Sequence, residues 1–137
     1  MKVFIASDHA GFLMKQYLLD NGGDFIDLGT DSSVSCDYPI FANKVAERMK
    51  ATENSRGVLI CGSGIGMAIA ANRHRHLRAA LCLSEYMAQI SRRHNDANVI
   101  VFGANIMDGG LALNCMKIFL ETPFDGGRHA ARLDIIR

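Results

Sequence analysis

The chain has 137 residues, with 15 Lys and Arg against 14 Asp and Glu, a formal net charge of +1 and 49% hydrophobic residues. A chain of this size buries about two thirds of the surface its unfolded form exposes and needs no staples; residues 1–137 are read as one domain, and near-neutrality removes any general electrostatic reason to bind nucleic acid or an anionic membrane. Four cysteines without a CxxC pair, the lack of a membrane-length apolar run, and an N-terminal apolar stretch (Val3 to Ala6) too short for a signal peptide lead us to expect a cytoplasmic protein with reduced thiols.

In chain order, KVFIAS reads as a first strand, and HAGFLMKQYLLDNGG after it as a helix, with Leu13/Tyr17 and Met14/Leu18 at i, i+4 and a glycine pair to end it. DFIDLGT is a second strand. A polar loop follows, and YPIFANKVAERMK then places Phe41, Val45 and Met49 on one helical stripe with Pro39 in the first turn. GVLIC is a third strand leading into a helix over IGMAIAANRH. RAALCL is a fourth strand, SEYMAQISRRH a helix capped by Ser84, and NVIVFG a fifth strand. DGGLALNCMKIFLE is a helix with Leu111, Cys115, Ile118 and Phe119 inward, and the tail ends in a short helix. Most of the methionines, together with Tyr86, Phe102 and Phe119, are assigned to the core, and Cys36, Cys82 and Cys115 are treated as packing residues.

Strands separated by helices of this length call for a parallel sheet covered on both faces, a three-layer α/β sandwich with five strands. Ligands of such sheets bind at the carboxyl ends of the strands, where the strand order reverses. The segments to inspect are therefore Ser7 to Gly11, Gly29 to Pro39, Cys61 to Gly66, Leu83 to Glu85 and Gly103 to Asn105.

The stretch LICGSGIGMA draws most attention, because it sets a thiol, Cys61, before glycines at 62, 64 and 66. It does not fit the dinucleotide fingerprint, whose third glycine would fall on Met67. The chain contains neither a GxxxxGK[ST] loop nor a nucleophile elbow around Ser63. Dense glycine still lets a ligand approach the backbone, and N–H groups at a helix start suit an anion or a sugar oxygen; a purely structural tight turn is the alternative. A thiol in that field tends toward thiolate.

Four other places carry chemistry-bearing residues. Asp8 and His9 follow the first strand, where Asp8 either caps the next helix or meets a ligand. Asp37 and Tyr38 precede a helix, where an aspartate is a natural cap. His94 ends a helix, a place that favours a protonated imidazole whether or not it does more. Arg128, His129 and Arg132 share one helical turn; such a cluster is either solvated surface or a phosphate clamp made by the i, i+4 arginines.

Together, SDHAG (7–11), DYP (37–39), ICGSGIG (60–66), AAN (70–72), SRRHND (91–96) and GGRHAAR (126–132) resemble the motifs of the type B ribose-5-phosphate isomerases, a family that includes galactose-6-phosphate isomerase subunits. The resemblance runs nearly end to end. It implies a flavodoxin-like sheet, a homodimer or tetramer with active sites shared between subunits, and interconversion of ribose 5-phosphate and ribulose 5-phosphate through an enediolate with no cofactor and no metal. By this resemblance Cys61 is the general base and Ser63 a hydroxyl that moves protons between the two oxygens, with N–H groups around Gly62, Gly64 and Gly66 holding the oxyanion. His94, with Asn95, opens the sugar ring from the second subunit. His9, Arg128 and Arg132 hold the phosphate, Asp8, Asp37 and Tyr38 meet the sugar hydroxyls, and His129 lies close to the phosphate clamp. Some relatives carry a glutamate base where this chain has Met67, which cannot take a proton. The chain departs from the pattern at Asn105, where an arginine is common and an amide supplies neither its charge nor its fork. A six-carbon substrate such as allose or galactose 6-phosphate, or a non-catalytic sugar-phosphate-binding module, are the alternatives. A thiol redox protein lacks the CxxC partner.

Overall fold

The computed structural model describes residues 1–136. Eleven elements alternate along them: β1 (Lys2–Ser7), α1 (Phe12–Gly22), β2 (Ile26–Asp27), α2 (Tyr38–Lys50), β3 (Ser55–Cys61), α3 (Ile65–Asn72), β4 (Ala79–Leu81), α4 (Glu85–Asn95), β5 (Val99–Gly103), α5 (Gly109–Glu121) and α6 (Arg128–Ile136). All strand pairs are parallel, in the order β2-β1-β3-β5-β4.

The three-layer architecture follows from residue alternation along the central strands. Val3, Ile5, Val58, Ile60, Ile100 and Phe102 face one core with Met14 and Leu18 of α1, Ala88 of α4, and Cys115, Met116 and Phe119 of α5. Phe4, Ala6, Leu59, Cys61, Val99 and Val101 face the other, with Phe41, Val45 and Met49 of α2 and Met67 and Ala71 of α3. Two-sided burial is why these strands read as continuous apolar runs instead of alternating ones.

The strand order departs from the flavodoxin-like 2-1-3-4-5 in its last two places. β5 is buried at every residue and takes the inner position, whereas β4 is three residues long, half-buried throughout, and lies at the edge. A short edge strand offers little unpaired backbone to other chains.

One core assignment needs correction. Tyr86 is 70% exposed, because α4 turns its Ala88 and Ser91 side to the sheet. On α1 Met14 and Leu18 reach the core and Leu19 packs against it, while Leu13 and Tyr17 face outward. Among the methionines, Met87 is exposed on the same outer side of α4 as Tyr86. The predicted second strand shrinks to two residues, held against β1 by Leu28 N–H to Ile5 C=O and continued by Ser7 N–H to Gly29 C=O. Lys15 of α1, fully buried, fastens this segment through Asp27 at 2.7 Å and the Thr30 carbonyl at 2.8 Å. No helix among the described residues is long and apolar enough to cross a membrane.

Candidate active site

The order of strands first reverses between β1 and β3, since β2 lies outside β1 while the rest of the sheet extends beyond β3. That crevice is where an open parallel sheet binds ligands. The register pairs Ser7 with Ile60 and Cys61 with Gly103, and the N–H of Asp8 donates to the Ile60 carbonyl. Asp8 and Cys61 therefore leave the sheet side by side.

Cys61 is 4% exposed, with its side chain on the α2/α3 face. The chain turns at once: Gly64 has φ +79, and its N–H comes back to donate to the Cys61 sulfur at 3.2 Å. The sulfur thus faces a backbone donor, with α3 starting one residue after Gly64. The loop is pinned from β5 by Ala104 N–H to Cys61 C=O and Asn105 N–H to Gly62 C=O. Met67 is fully buried in the same cluster and supplies no proton acceptor.

Of the three loop glycines Gly64 alone has a positive φ, whereas Gly62 and Gly66 are kept small by what lies against them. A methyl on Gly66 would stand 2.5 Å from Cζ and 2.7 Å from the hydroxyl oxygen of Tyr38, so the Tyr38 ring rests on the opening of α3. A methyl on Gly62 would stand 3.0 Å from Nδ2 of Asn105. The exposed Asn105 amide thus lies directly against the loop. Ser63 is also exposed, and its hydroxyl oxygen accepts from the Ile65 N–H at 3.2 Å while its own proton stays available to donate.

Asp8 does tie the turn into α1, its Oδ1 accepting from the Gly11 N–H at 3.1 Å, and it is buried. Asp37 occupies the N-cap position of α2 without a side-chain cap bond, leaving an exposed carboxylate beside Tyr38. The Nδ1 of His9 lies 3.1 Å from the Cys36 nitrogen and 3.2 Å from its carbonyl oxygen, so it accepts from the N–H when bare and donates to the carbonyl when Nδ1 carries a proton. Cys36, read from sequence as a packing residue, is half-buried, with its sulfur 3.9 Å from that nitrogen. The only sequence signal for this role was its place in the loop that precedes Asp37.

The remaining predicted residues stand elsewhere. The N-terminus of α4 follows β4, so its eleven residues run back about 16 Å toward the amino ends of the strands and carry His94 and Asn95 there. His94 stacks on His129, with ring centroids 4.1 Å apart and planes 12° from parallel. The Arg93 guanidinium pairs with Asp125 at 3.1 Å, and the Asp125 N–H donates to the Arg93 carbonyl. Arg128 and Arg132, both exposed, lie one turn apart on α6 beside this stack. Desolvation first, then His94, Arg128 and Arg132, hold His129 below the ordinary imidazole range, with Asp125 opposing. One chain thus gathers Asp8, His9, Asp37, Tyr38, Cys61, Ser63 and the glycine loop at one end of the sheet, and His94, Asn95, Arg128 and Arg132 at the other. Asp125 and Arg93 were missed because nothing in their local sequence marks a pair 32 residues apart.

Comparison with known proteins identifies the family and the fold. The sequence profile of the Ribose/Galactose Isomerase family matches residues 3–136. The chain belongs to this family. It is 40% identical over 139 aligned positions to ribose-5-phosphate isomerase B of Escherichia coli, covering 98% of this chain and 93% of that one. Among solved structures, ribose-5-phosphate isomerase B of Clostridium thermocellum superposes with a TM-score of 0.93 at 45% identity, covering 99% of this chain and 95% of that one. The Mycoplasma genitalium ribose-5-phosphate isomerase B, solved with bound ribulose-5-phosphate, gives a TM-score of 0.90 at 36% identity, covering 98% and 93%.

Proposed function

We propose that the chain interconverts ribose 5-phosphate and ribulose 5-phosphate, with Cys61 as the base, at sites completed by a second copy. The observation that carries the base assignment is the Gly64 N–H on the Cys61 sulfur, in the crevice where strand order reverses. Full-length relatedness to isomerases of this substrate, one of them solved with ribulose-5-phosphate, supports the substrate.

The reaction moves one carbon-bound proton. The Cys61 thiolate takes the proton from C2 of the open aldose, electrons shift to the carbonyl oxygen, and the enediolate is held by backbone N–H groups of the loop. The proton returns to C1, while the Ser63 hydroxyl passes the oxygen-bound proton from O2 to O1. Electrostatic support of this kind is worth about 3 kcal/mol per donor in other enzymes. Asp8, Asp37 and Tyr38 contact sugar hydroxyls, and His9 takes one side of the phosphate.

Ring opening and the rest of the phosphate charge then call on His94, Asn95, Arg128 and Arg132, which lie at the far end of the same chain. A second copy placing that end over the first copy's crevice supplies them. Exposed apolar side chains along the catalytic edge (Ile65, Ile69, Leu83, Tyr86 and Ile106) give such a copy a surface to bury.

Purified protein assayed by NMR with ribose 5-phosphate, allose 6-phosphate and galactose 6-phosphate tests the substrate. Turnover of the five-carbon sugar is expected to dominate, and turnover confined to six-carbon sugars would overturn it. Undiminished exchange of the transferred proton with solvent in Cys61→Ala would remove the thiol from the role of base.

A further inference from the structure

We infer that His129 is the positioning residue for His94, presenting a flat ring against which the His94 imidazole is held while it exchanges a proton with the sugar ring oxygen. This rests on the ring-opening role proposed for His94.

His94 stands in the last turn of α4, half-buried, where two freely rotating side-chain torsions would otherwise spread its nitrogens over a wide arc. The nearly parallel stack with His129 removes that freedom. His129 is itself placed by a built device. Asp125 is bolted to the residue before His94 twice, by its N–H on the Arg93 carbonyl and by its carboxylate on the Arg93 guanidinium. Gly126 and Gly127, at φ +72 and +57, turn the chain sharply, and the His129 N–H closes the turn on the Gly126 carbonyl. One turn on, Leu133 is 3% exposed and seats α6.

The donor atoms of His94, Asp125 and His129 lie within 4.8 Å of one another, a spacing that invites a metal ion. The charges argue otherwise. Asp125 is already committed to Arg93, and Arg128 and Arg132 act on His129, so the local field opposes another cation. The same field disfavours a positive charge on the His129 ring.

The test compares His129→Ala, which removes the ring, with His129→Phe, which keeps a flat ring without nitrogens. Two readouts separate ring opening from proton abstraction: turnover of ribose 5-phosphate, which arrives mainly as a closed ring, and uptake of solvent deuterium into ribulose 5-phosphate, which is already open. The Ala variant is expected to lose about tenfold in kcat on ribose 5-phosphate with deuterium uptake near the wild-type rate, and the Phe variant to recover most of the loss. Equal losses in both readouts, no loss in either, or a Phe variant as impaired as Ala would overturn the inference. The stack has its own signature: the His94 Cε1 proton resonance should move downfield in the Ala variant, and an unmoved resonance would show that the rings do not stack. Wild-type protein without deuterium uptake into ribulose 5-phosphate would instead sink the proposed isomerase chemistry, a result distinct from either of these.

Discussion

Substituting Gly64 tests the link between the catalytic loop and the sheet beneath it. Alanine at φ +79 bears a left-handed backbone penalty of about 1–2 kcal/mol, offset by about 0.4–1 kcal/mol from a stiffer unfolded chain. Its methyl would also stand 2.5 Å from Cδ1 of Leu81 and 3.1 Å from the backbone carbonyl of Phe102. Phe102 belongs to the innermost region of the sheet and has no room to retreat, so overpacking adds about 1–3 kcal/mol. The net cost of Gly64→Ala is about 2–4 kcal/mol, a large share of the total for a domain of this kind. Gly126→Ala is the control. Its φ of +72 imposes a comparable backbone penalty, but nothing lies within 4 Å of the added methyl, so it should cost only about 0.5–1 kcal/mol. Urea unfolding and calorimetric melting of both variants give the two energies, and Gly64→Ala should melt about 10 °C below the parent. Its kcat should fall further than its stability alone explains, since displacing Gly64 draws the N–H donor away from the Cys61 sulfur. Equal costs at the two glycines would refute the packing argument, and unchanged turnover in Gly64→Ala would refute the role of that donor.

Mixing separately inactive Cys61→Ala and His94→Ala chains by unfolding and refolding together should restore about one quarter of wild-type activity, because half of the random dimers carry one fully native site; no recovery would place each site within one chain. Asp27→Asn should destabilise by about 1–3 kcal/mol in urea titrations, since its amide oxygen can still accept from the fully buried Lys15 ammonium but no longer balances its charge, while solvent at the partly exposed position 27 limits the loss. Burial foremost pushes the Cys82 thiol up to about 12 and the Cys115 thiol up to about 11 from an ordinary 9.0. Unfolded chains release those protons first, so stability holds below about pH 9 and falls as pH rises toward 11 and 12, by up to about 1.4 kcal/mol per pH unit for each thiol. Urea midpoints from pH 8 to 11 check this, and Cys82→Ala with Cys115→Ala should flatten the decline.

Much of this was legible in short stretches of sequence. The stripe Phe41, Val45 and Met49 with Pro39 marked α2 as it stands, and Ser84 caps α4 through the Met87 N–H as its position suggested. Helix-capping logic found Asp8 and Asp37 but could not tell which one spends its carboxylate on the backbone: Asp8 does and Asp37 does not. Tyr86 shows the limit of local reading, since it is an aromatic among apolar neighbours on a helix whose buried side is made of smaller residues.

By itself the sequence determined the elements, their alternation into a parallel sheet, and the family, because periodicity, caps and motifs are written in neighbouring residues. Only the tertiary structure decided that β5 displaces β4 from the interior, that the Gly64 N–H returns to the Cys61 sulfur, and that His94 and the arginines stand at the far end of the sheet from that sulfur. Those outcomes depend on pairings between distant segments, where burial summed over the whole chain outweighs the preference of any one stretch.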